Sequence, residues 1–209
     1  MKNALIITTL ICAAIVGAII PPEKVVADGY PYDMEFSARL VKAALERTKH
    51  RVTYDGSYRK IAYPGGDVPD NIGVCTDAII RPYRKLGIDL QKEVHEDMKR
   101  NFSLYPKSWG LNRTDTNIDH RRVPNLQVFF QRHGVKLPVS RSPEQYLPGD
   151  LVTWTVARSL PHIGIVSDSK TLLGKRPLII HNIGRGPVLE DMLFEYPITG
   201  HYRYYGPGP

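Results

Sequence analysis

The sequence predicts an α+β fold in which N-terminal helices pack on a C-terminal antiparallel sheet. Two observations carry this. Helical apolar spacing runs through the first two thirds of the chain, and after Pro148-Gly149 it gives way to short β-rich runs separated by turn residues. Helices first and consecutive strands afterwards mark α+β rather than alternating α/β order.

The elements follow in order. Ala4 to Ile20 is uncharged and almost wholly apolar, follows Met1-Lys2-Asn3, and stops at Pro21-Pro22. With the small residue Ala27 after Val25-Val26, residues 1–27 read as a secretory signal peptide cleaved near Ala27. The apolar run of about 17 residues lies at the lower edge of a membrane span, so an uncleaved anchor is the alternative. Residues 28–209 then form one domain. Phe36, Leu40, Val41, Ala44 and Leu45 place one helix over Glu35 to Lys49. Asp55-Gly56 and Gly65-Gly66 are turns. A second helix is expected from Cys75 to Leu86, stopped by Gly87 and shortened or kinked by Pro82. Leu90, Val94, Met98 and Phe102 indicate a third. Lys107 to Arg122 reads as a polar loop, and Val123-Pro124 opens a helix ending near Gly134. Strands are expected at Leu151 to Thr155, Ile163 to Ser167, Leu178 to Asn182 and Tyr202 to Tyr205.

Composition narrows the function. The formal net charge is +7, which suits an anionic envelope or membrane surface as partner. No basic run interleaved with aromatics supplies a nucleic-acid groove. Of the two cysteines, Cys12 falls in the leader and Cys75 remains alone. An oxidising compartment favours paired cysteines, so a lone one is a buried small hydrophobe, a dimer link or a nucleophile.

Position favours the nucleophile. Cys75 starts the second predicted helix, where partial positive charge and free N–H groups lower a thiol pKa and can receive an oxyanion. A base and an orienting group are then required. His162 opens the strand His162-Ile163-Gly164-Ile165-Val166, in which alternation puts His162, Gly164 and Val166 on one face. Gly164 leaves room on that face for a helix start to approach. If the next strand pairs through the turn between Ser169 and Pro177, His181 falls near His162 and can engage its second nitrogen. Asn182 is the rival orienter but points to the other face.

Other chemistries are weaker. His95, Asp97, Asp115, Asp119 and His120 are zinc-ligand types, yet no His-Glu-x-x-His pattern joins them, and no metal or cofactor is expected. No Gly-x-Ser-x-Gly elbow supports a serine hydrolase. Gly184-Arg185-Gly186-Pro187 reads as a strand-linking loop. Asp119, Arg121 and Arg122 form either a salt-bridged loop or a site for a substrate carboxylate.

Tyr63-Pro64-Gly65-Gly66, Val74-Cys75-Thr76-Asp77 and Leu86-Gly87-Ile88-Asp89-Leu90 resemble the cysteine half of NlpC-type cell-wall peptidases. Pro148-Gly149-Asp150-Leu151-Val152, His162-Ile163-Gly164-Ile165-Val166 and Ile179-Ile180-His181-Asn182 resemble the histidine half. Through His95-Glu96-Asp97-Met98 and Asn117-Ile118-Asp119-His120-Arg121-Arg122-Val123-Pro124, the chain from residue 28 is similar to the YijF-like exported bacterial family, of unknown function. The resemblance implies a papain-like fold with an inserted segment around 91–147, and cysteine hydrolysis of amide bonds in peptidoglycan peptides. It implies Cys75 as nucleophile, His162 as base, His181 as third polar residue and Tyr63 at the oxyanion. NlpC-type enzymes usually carry Asp-Cys-Ser-Gly where this chain has Val74-Cys75-Thr76-Asp77. The expectation is therefore an exported, monomeric, periplasmic cysteine amidase or peptidase, touching the membrane only through its N-terminal segment if that is uncleaved. The alternatives are a non-catalytic envelope-binding module on the same fold and acyl transfer on lipid.

Overall fold

A computed structural model describes residues 25–27, 29–157 and 159–207. The expected leader thus lies outside the described residues except for Val25–Ala27 (β1), which pairs antiparallel with Tyr30–Tyr32 (β2). Helix α1 (Met34–Arg47) follows, and its N-cap Asp33 accepts the Phe36 N–H at 2.9 Å. That bond satisfies one of the donors a helix start leaves open. Leu40, Val41 and Ala44 form its buried stripe. Thr53–Tyr54 (β3) and Ile72–Gly73 (β4) make a short parallel pair, which carries Tyr54 alongside the approach to Cys75.

Helix α2 (Asp77–Lys85) starts two residues later than expected. The preceding turn is tighter than α: the Asp77 N–H donates to Val74 O and the Ala78 N–H to Cys75 O, three residues back in each case. Asp77 closes that turn by accepting the Val74 N–H at 2.7 Å. Pro82 sits inside α2, which stays short, and Gly87 turns the chain away at φ +87°. Helix α3 (Leu90–Arg100) is capped by Asp89, and residues 101–122 form loops with single 3₁₀ turns. Helix α4 (Val123–His133) leads into Val135–Leu137 (β5).

The remaining strands are Leu151–Val156 (β6), Leu160–Lys170 (β7), Pro177–His181 (β8), Val188–Glu190 (β9) and Ile198–Arg203 (β10). With β5 they build a six-stranded antiparallel sheet in the order β5-β10-β6-β7-β8-β9. Strands β5 and β9 were not expected from the sequence. At three residues each they are too short for an alternation to show.

The sheet is buried on both faces. Leu151, Ile163, Ile165, Ile180 and Tyr202 join the core beneath the helices, which also holds Leu40, Ile79, Val94, Leu126 and Phe130. Full burial of a side chain such as Ile163 stabilises the fold by about 1.5–3 kcal/mol. Segment 91–147 is integral to this core, since Val94 and Met98 on α3 and Leu126 and Phe129 on α4 lie fully within it. Val152, Trp154, Val166 and Ile179 face the other way, onto Tyr146, Met192 and Leu193.

Asp150 locks the start of β6. Fully buried, it takes Arg203 Nε at 2.7 Å and sits 2.8 Å from His201 Nε2. Gly149 before it holds φ +86°, and a Cβ there would meet Ser37 Cβ at 2.9 Å. The Pro-Gly-Asp motif therefore ties the sheet to α1.

Candidate active site

Cys75 lies on the turn that enters α2, with 5% of its surface exposed. The backbone N–H groups of Ile163 and Thr76 and the Tyr54 hydroxyl lie close enough to its sulfur to bear on its titration. Pairing of β8 with β7 stops at His181 opposite Gly164, so the Ile163 N–H near the thiol lies one residue beyond the last pair. Ile163 is bonded to His162, but alternation turns the His162 side chain to the face of Trp154 and Val166, while Cys75 packs with Ile163 and Ile165 beneath the helices.

A position at a helix start is expected to lower a thiol pKa. The structure reverses this. Burial pushes the Cys75 thiol up to about 11, with Asp77 adding to the rise, and the two N–H groups offset only part of it. The helix starts after Cys75, and desolvation of a thiolate outweighs the field of one turn.

His162 and His181 are brought together as expected. His162 Nε2 lies 3.0 Å from His181 Nδ1, with the rings nearly perpendicular at 86°. Gly164 enables this, but not as foreseen. The helices pack on the opposite face of the sheet, and the space beside Gly164 is filled by β8. A Cβ at Gly164 would meet Ile179 Cγ2 at 2.6 Å and His181 Cβ at 3.2 Å. His181 sits directly across from Gly164 and leans over it toward His162, whose ring lies 6.0 Å from that of Trp154. Asn182 points elsewhere, its Oδ1 accepting the Gly184 N–H.

Both imidazoles are held neutral. Burial, reinforced by His181, brings His162 down to about 3. Burial also lowers His181, against the pull of Glu190. Two neutral rings sharing one contact constrain the tautomers. For His162 Nδ1 to act as a base, the proton must sit on Nε2 and be donated to His181 Nδ1. His181 must then carry its own proton on Nε2. That nitrogen is buried without a hydrogen-bond partner, and the nearest acceptor is Glu190 Oε2 at 3.5 Å. Arg185 holds the other Glu190 oxygen at 3.2 Å. Glu190 is thus the acceptor placed to select the tautomer, and it lies on β9, a strand too short for alternation to show in the sequence.

Among the described residues no hydrogen bond joins Cys75 to either histidine; with Nε2 taken by His181, the free nitrogen of His162 is Nδ1. Tyr63 does not line the cleft at Cys75. Its ring packs edge-on against His95 at 5.1 Å. The tyrosine at the thiol is Tyr54, which lines the same cleft. Burial and Cys75 push the Tyr54 hydroxyl up to about 12, so it remains a donor at neutral pH. The cleft itself has a volume of about 510 Å³ and is lined by Tyr54, Cys75, Trp109, Arg122, Leu160 and Pro161 among others.

One buried ion pair adjoins the turn that carries the thiol. Arg121 grips Asp77 through Nε at 3.0 Å and Nη2 at 2.8 Å, fixing the turn that carries Cys75. The zinc-ligand types do not gather: Asp97 is engaged by Tyr105, Arg132 and His133. Among the described residues no three His, Cys, Asp or Glu side chains converge on a point that could hold a metal ion.

An α+β protein with one thiol among the described residues, at a helix entry, and a buried histidine pair on an antiparallel sheet is the class that fold and site define. Residues 41–204 match the family model described as Domain of unknown function (DUF1287), and the chain belongs to that family. It is 49% identical over 166 residues to the uncharacterized protein YijF of Escherichia coli strain K12, which covers 79% of this chain and 80% of the relative.

Proposed function

We propose that the protein is an exported cysteine hydrolase of papain-like, NlpC-like architecture that cleaves amide bonds in peptidoglycan peptides. The observation that carries this is the placement of two parts: Cys75 on the turn that enters α2, lining a cleft, and His162 bonded to the Ile163 whose N–H lies near the thiol, with its Nε2 held by His181. With a substrate carbonyl in the cleft, the thiol proton passes to His162 Nδ1 and sulfur bonds to the carbonyl carbon. The Cys75 N–H and the Tyr54 hydroxyl face the developing oxyanion. The C–N bond breaks as His162 returns the proton to the leaving amine, and water then releases the acyl group from sulfur. A neutral thiol beside a neutral imidazole makes this general-base catalysis rather than attack by a preformed thiolate. A cleaved leader over residues 1–27 would deliver the enzyme to the periplasm as a soluble monomer.

The test is to incubate purified sacculi with wild type and Cys75→Ala and to analyse released fragments. Release by wild type alone supports the proposal; equal release by both removes Cys75 from the mechanism. One observation favours a second reading, a non-catalytic envelope-binding module. The thiol is nearly enclosed and its pKa is raised. That reading expects sacculus binding without cleavage and slow iodoacetamide labelling even in the presence of substrate peptide. Labelling accelerated by peptide would sink it.

A further inference from the structure

The hairpin between β7 and β8 turns through Lys170-Thr171-Leu172-Leu173-Gly174-Lys175-Arg176. Strand pairing closes at Lys170 opposite Pro177, and beyond it the backbone holds its own turn. The Thr171 N–H donates to Arg176 O at 2.9 Å and the Gly174 N–H to Thr171 O at 2.7 Å. Leu172 and Leu173 are therefore the central residues of a β-turn, positions usually filled by polar or turn-forming residues. Leu172 is fully exposed and Leu173 is 82% exposed, while no other large apolar side chain among the described residues exceeds 60%. Single exposed leucines are ordinary. Two adjacent ones at an apex, packed on nothing, contribute nothing to the fold.

The charges around the apex complete the pattern. Lys170 and Lys175 flank the leucine pair on either side, both exposed, and neither is in an ion pair among the described residues. Arg176 is taken by Asp191, with Nε at 3.0 Å. The acid on the strand behind, Asp168, accepts the hydroxyls of Ser167 and Ser169. An apolar tip collared by two free ammonium groups complements an anionic bilayer surface, where leucines enter the acyl boundary and lysines reach back to the phosphates. Side chains that project with no neighbour on any side suit a fluid that closes around them better than a rigid protein groove. The formal net charge of +7 adds attraction of the same sign at longer range. The apex lies at the opposite end of β7 from His162, about 25 Å along the strand, so a docked tip leaves the histidine end of the sheet clear of the surface.

We infer that the β7–β8 hairpin is a membrane-docking tip: Leu172 and Leu173 insert into an anionic phospholipid bilayer, and Lys170 and Lys175 bind its headgroups. This goes beyond the hydrolase reading and does not depend on it. The test reads the tip itself, so that attachment through residues 1–27 does not mask the result. In the full-length chain with Cys12→Ser and Cys75→Ala, Leu173→Cys carries the polarity-sensitive dye NBD. Val139→Cys, an exposed apolar position outside the hairpin, carries it as a control. With vesicles of equal parts phosphatidylglycerol and phosphatidylcholine, NBD at 173 should shift to the blue and be quenched by lipid bearing a doxyl group on its acyl chain. NBD at 139 should do neither. Lys170→Glu with Lys175→Glu, or vesicles of phosphatidylcholine alone, should raise the lipid concentration needed for half the signal by about tenfold or more. Leu172→Ser should raise it by about tenfold. These substitutions should leave the melting temperature unchanged, because the side chains pack on nothing. A dye at 173 that stays in water, equal quenching at 139 and 173, or a signal indifferent to the two lysines overturns the proposal. So does a blue shift without acyl-chain quenching, which would be a contact of charge alone.

Discussion

His162 Nε2 lies 3.0 Å from His181 Nδ1, and His181 Nε2 in turn faces Glu190 Oε2 at 3.5 Å. The three side chains form a line running from His162 on β7 across β8 to the partly exposed β9 margin. Each link has one proton to share, so the acceptor at the end decides where every proton in the line sits.

Replacement of Glu190 should therefore act at a distance. In Glu190→Ala, His181 loses the acceptor that favours its Nε2–H form, and His162 no longer holds Nδ1 free in all molecules. Nitrogen-15 NMR of the imidazoles should show one tautomer per ring in the wild type and mixtures in the variant. Hydrolysis should fall by about 10–100-fold, in line with the loss of an outer orienting group. Thermal stability should barely move, since Glu190 is partly exposed. Unchanged tautomers would remove Glu190 from the line.

Acid should destabilise the fold earlier than carboxylate titration alone would. His162 and His120 are each brought down to about 3, by burial first, with His181 adding to the fall of His162 and Arg121 to that of His120. Above pH 6.5 neither the folded nor the unfolded chain protonates them, and their neutral burial is undisturbed. As pH falls below 6.5 the unfolded chain takes up protons that the folded chain refuses, so stability drops with falling pH until about 3. His95 and His181 shift in the same direction. Asp119, raised to about 6, and Glu93, also raised by burial, bind protons preferentially in the folded state and offset part of the loss. The histidines outnumber them, so urea midpoints should decline from pH 7 to pH 5, and His120→Gln should flatten the decline if it folds. Midpoints that stay level or rise with acid would contradict the burial of these rings as neutral groups.

Much of this arrangement was legible in the sequence, and the gaps have physical causes. Long periodic segments announced themselves: α1, α3 and α4 follow apolar spacing, and β6, β7 and β8 follow runs of branched residues. The antiparallel pairing that sets His181 near His162 followed from a short turn between two such strands. What pattern could not reveal was set by tertiary contact. The height of the thiol pKa depends on how deeply the α2 entry turn is covered, which no local spacing encodes. Tyr54 and Tyr63 are equivalent in composition, and only the parallel pairing of β3 with β4 brings Tyr54 to Cys75. Glu190 lies on a three-residue strand with no alternation to read. The purpose of Gly164 was visible as a need for space, while the occupant of that space, His181 rather than a helix, required the register.

Gly164 gives a sharp mutational test of that register. In Gly164→Ala the new methyl would meet Ile179 Cγ2 at 2.6 Å, the Ile180 carbonyl at 3.0 Å and His181 Cβ at 3.2 Å. Two of these three atoms belong to side chains of a central strand and one to its backbone, so relief requires β8 to shift. Overpacking of this kind should cost about 1–3 kcal/mol. It should also move His181 off His162, seen as loss of coupling between their imidazole resonances. A variant as stable as wild type, with the pair intact, would show that β8 is not where the register places it.

Asp77 should prove more important to the site than its position after Cys75 suggests. It accepts the Val74 N–H at 2.7 Å and both forks of Arg121, and it is 3% exposed. Asp77→Ala removes the N-terminal closure of α2 and leaves Arg121 buried without its counter-charge. Breaking one side of a buried pair typically costs about 3–5 kcal/mol. Exchange by a smaller, still hydrogen-bonding group separates the two roles: Asp77→Asn keeps an acceptor for the Val74 N–H while giving up the charge. Urea unfolding should rank wild type above Asp77→Asn and Asp77→Ala lowest. Among molecules that remain folded, iodoacetamide labelling of Cys75 should quicken in Asp77→Ala, because the negative charge that raises the thiol pKa is gone and the turn that encloses the thiol is loosened. Slower labelling, or equal stability of all three proteins, would show that the Asp77–Arg121 pair holds neither the turn nor the thiol.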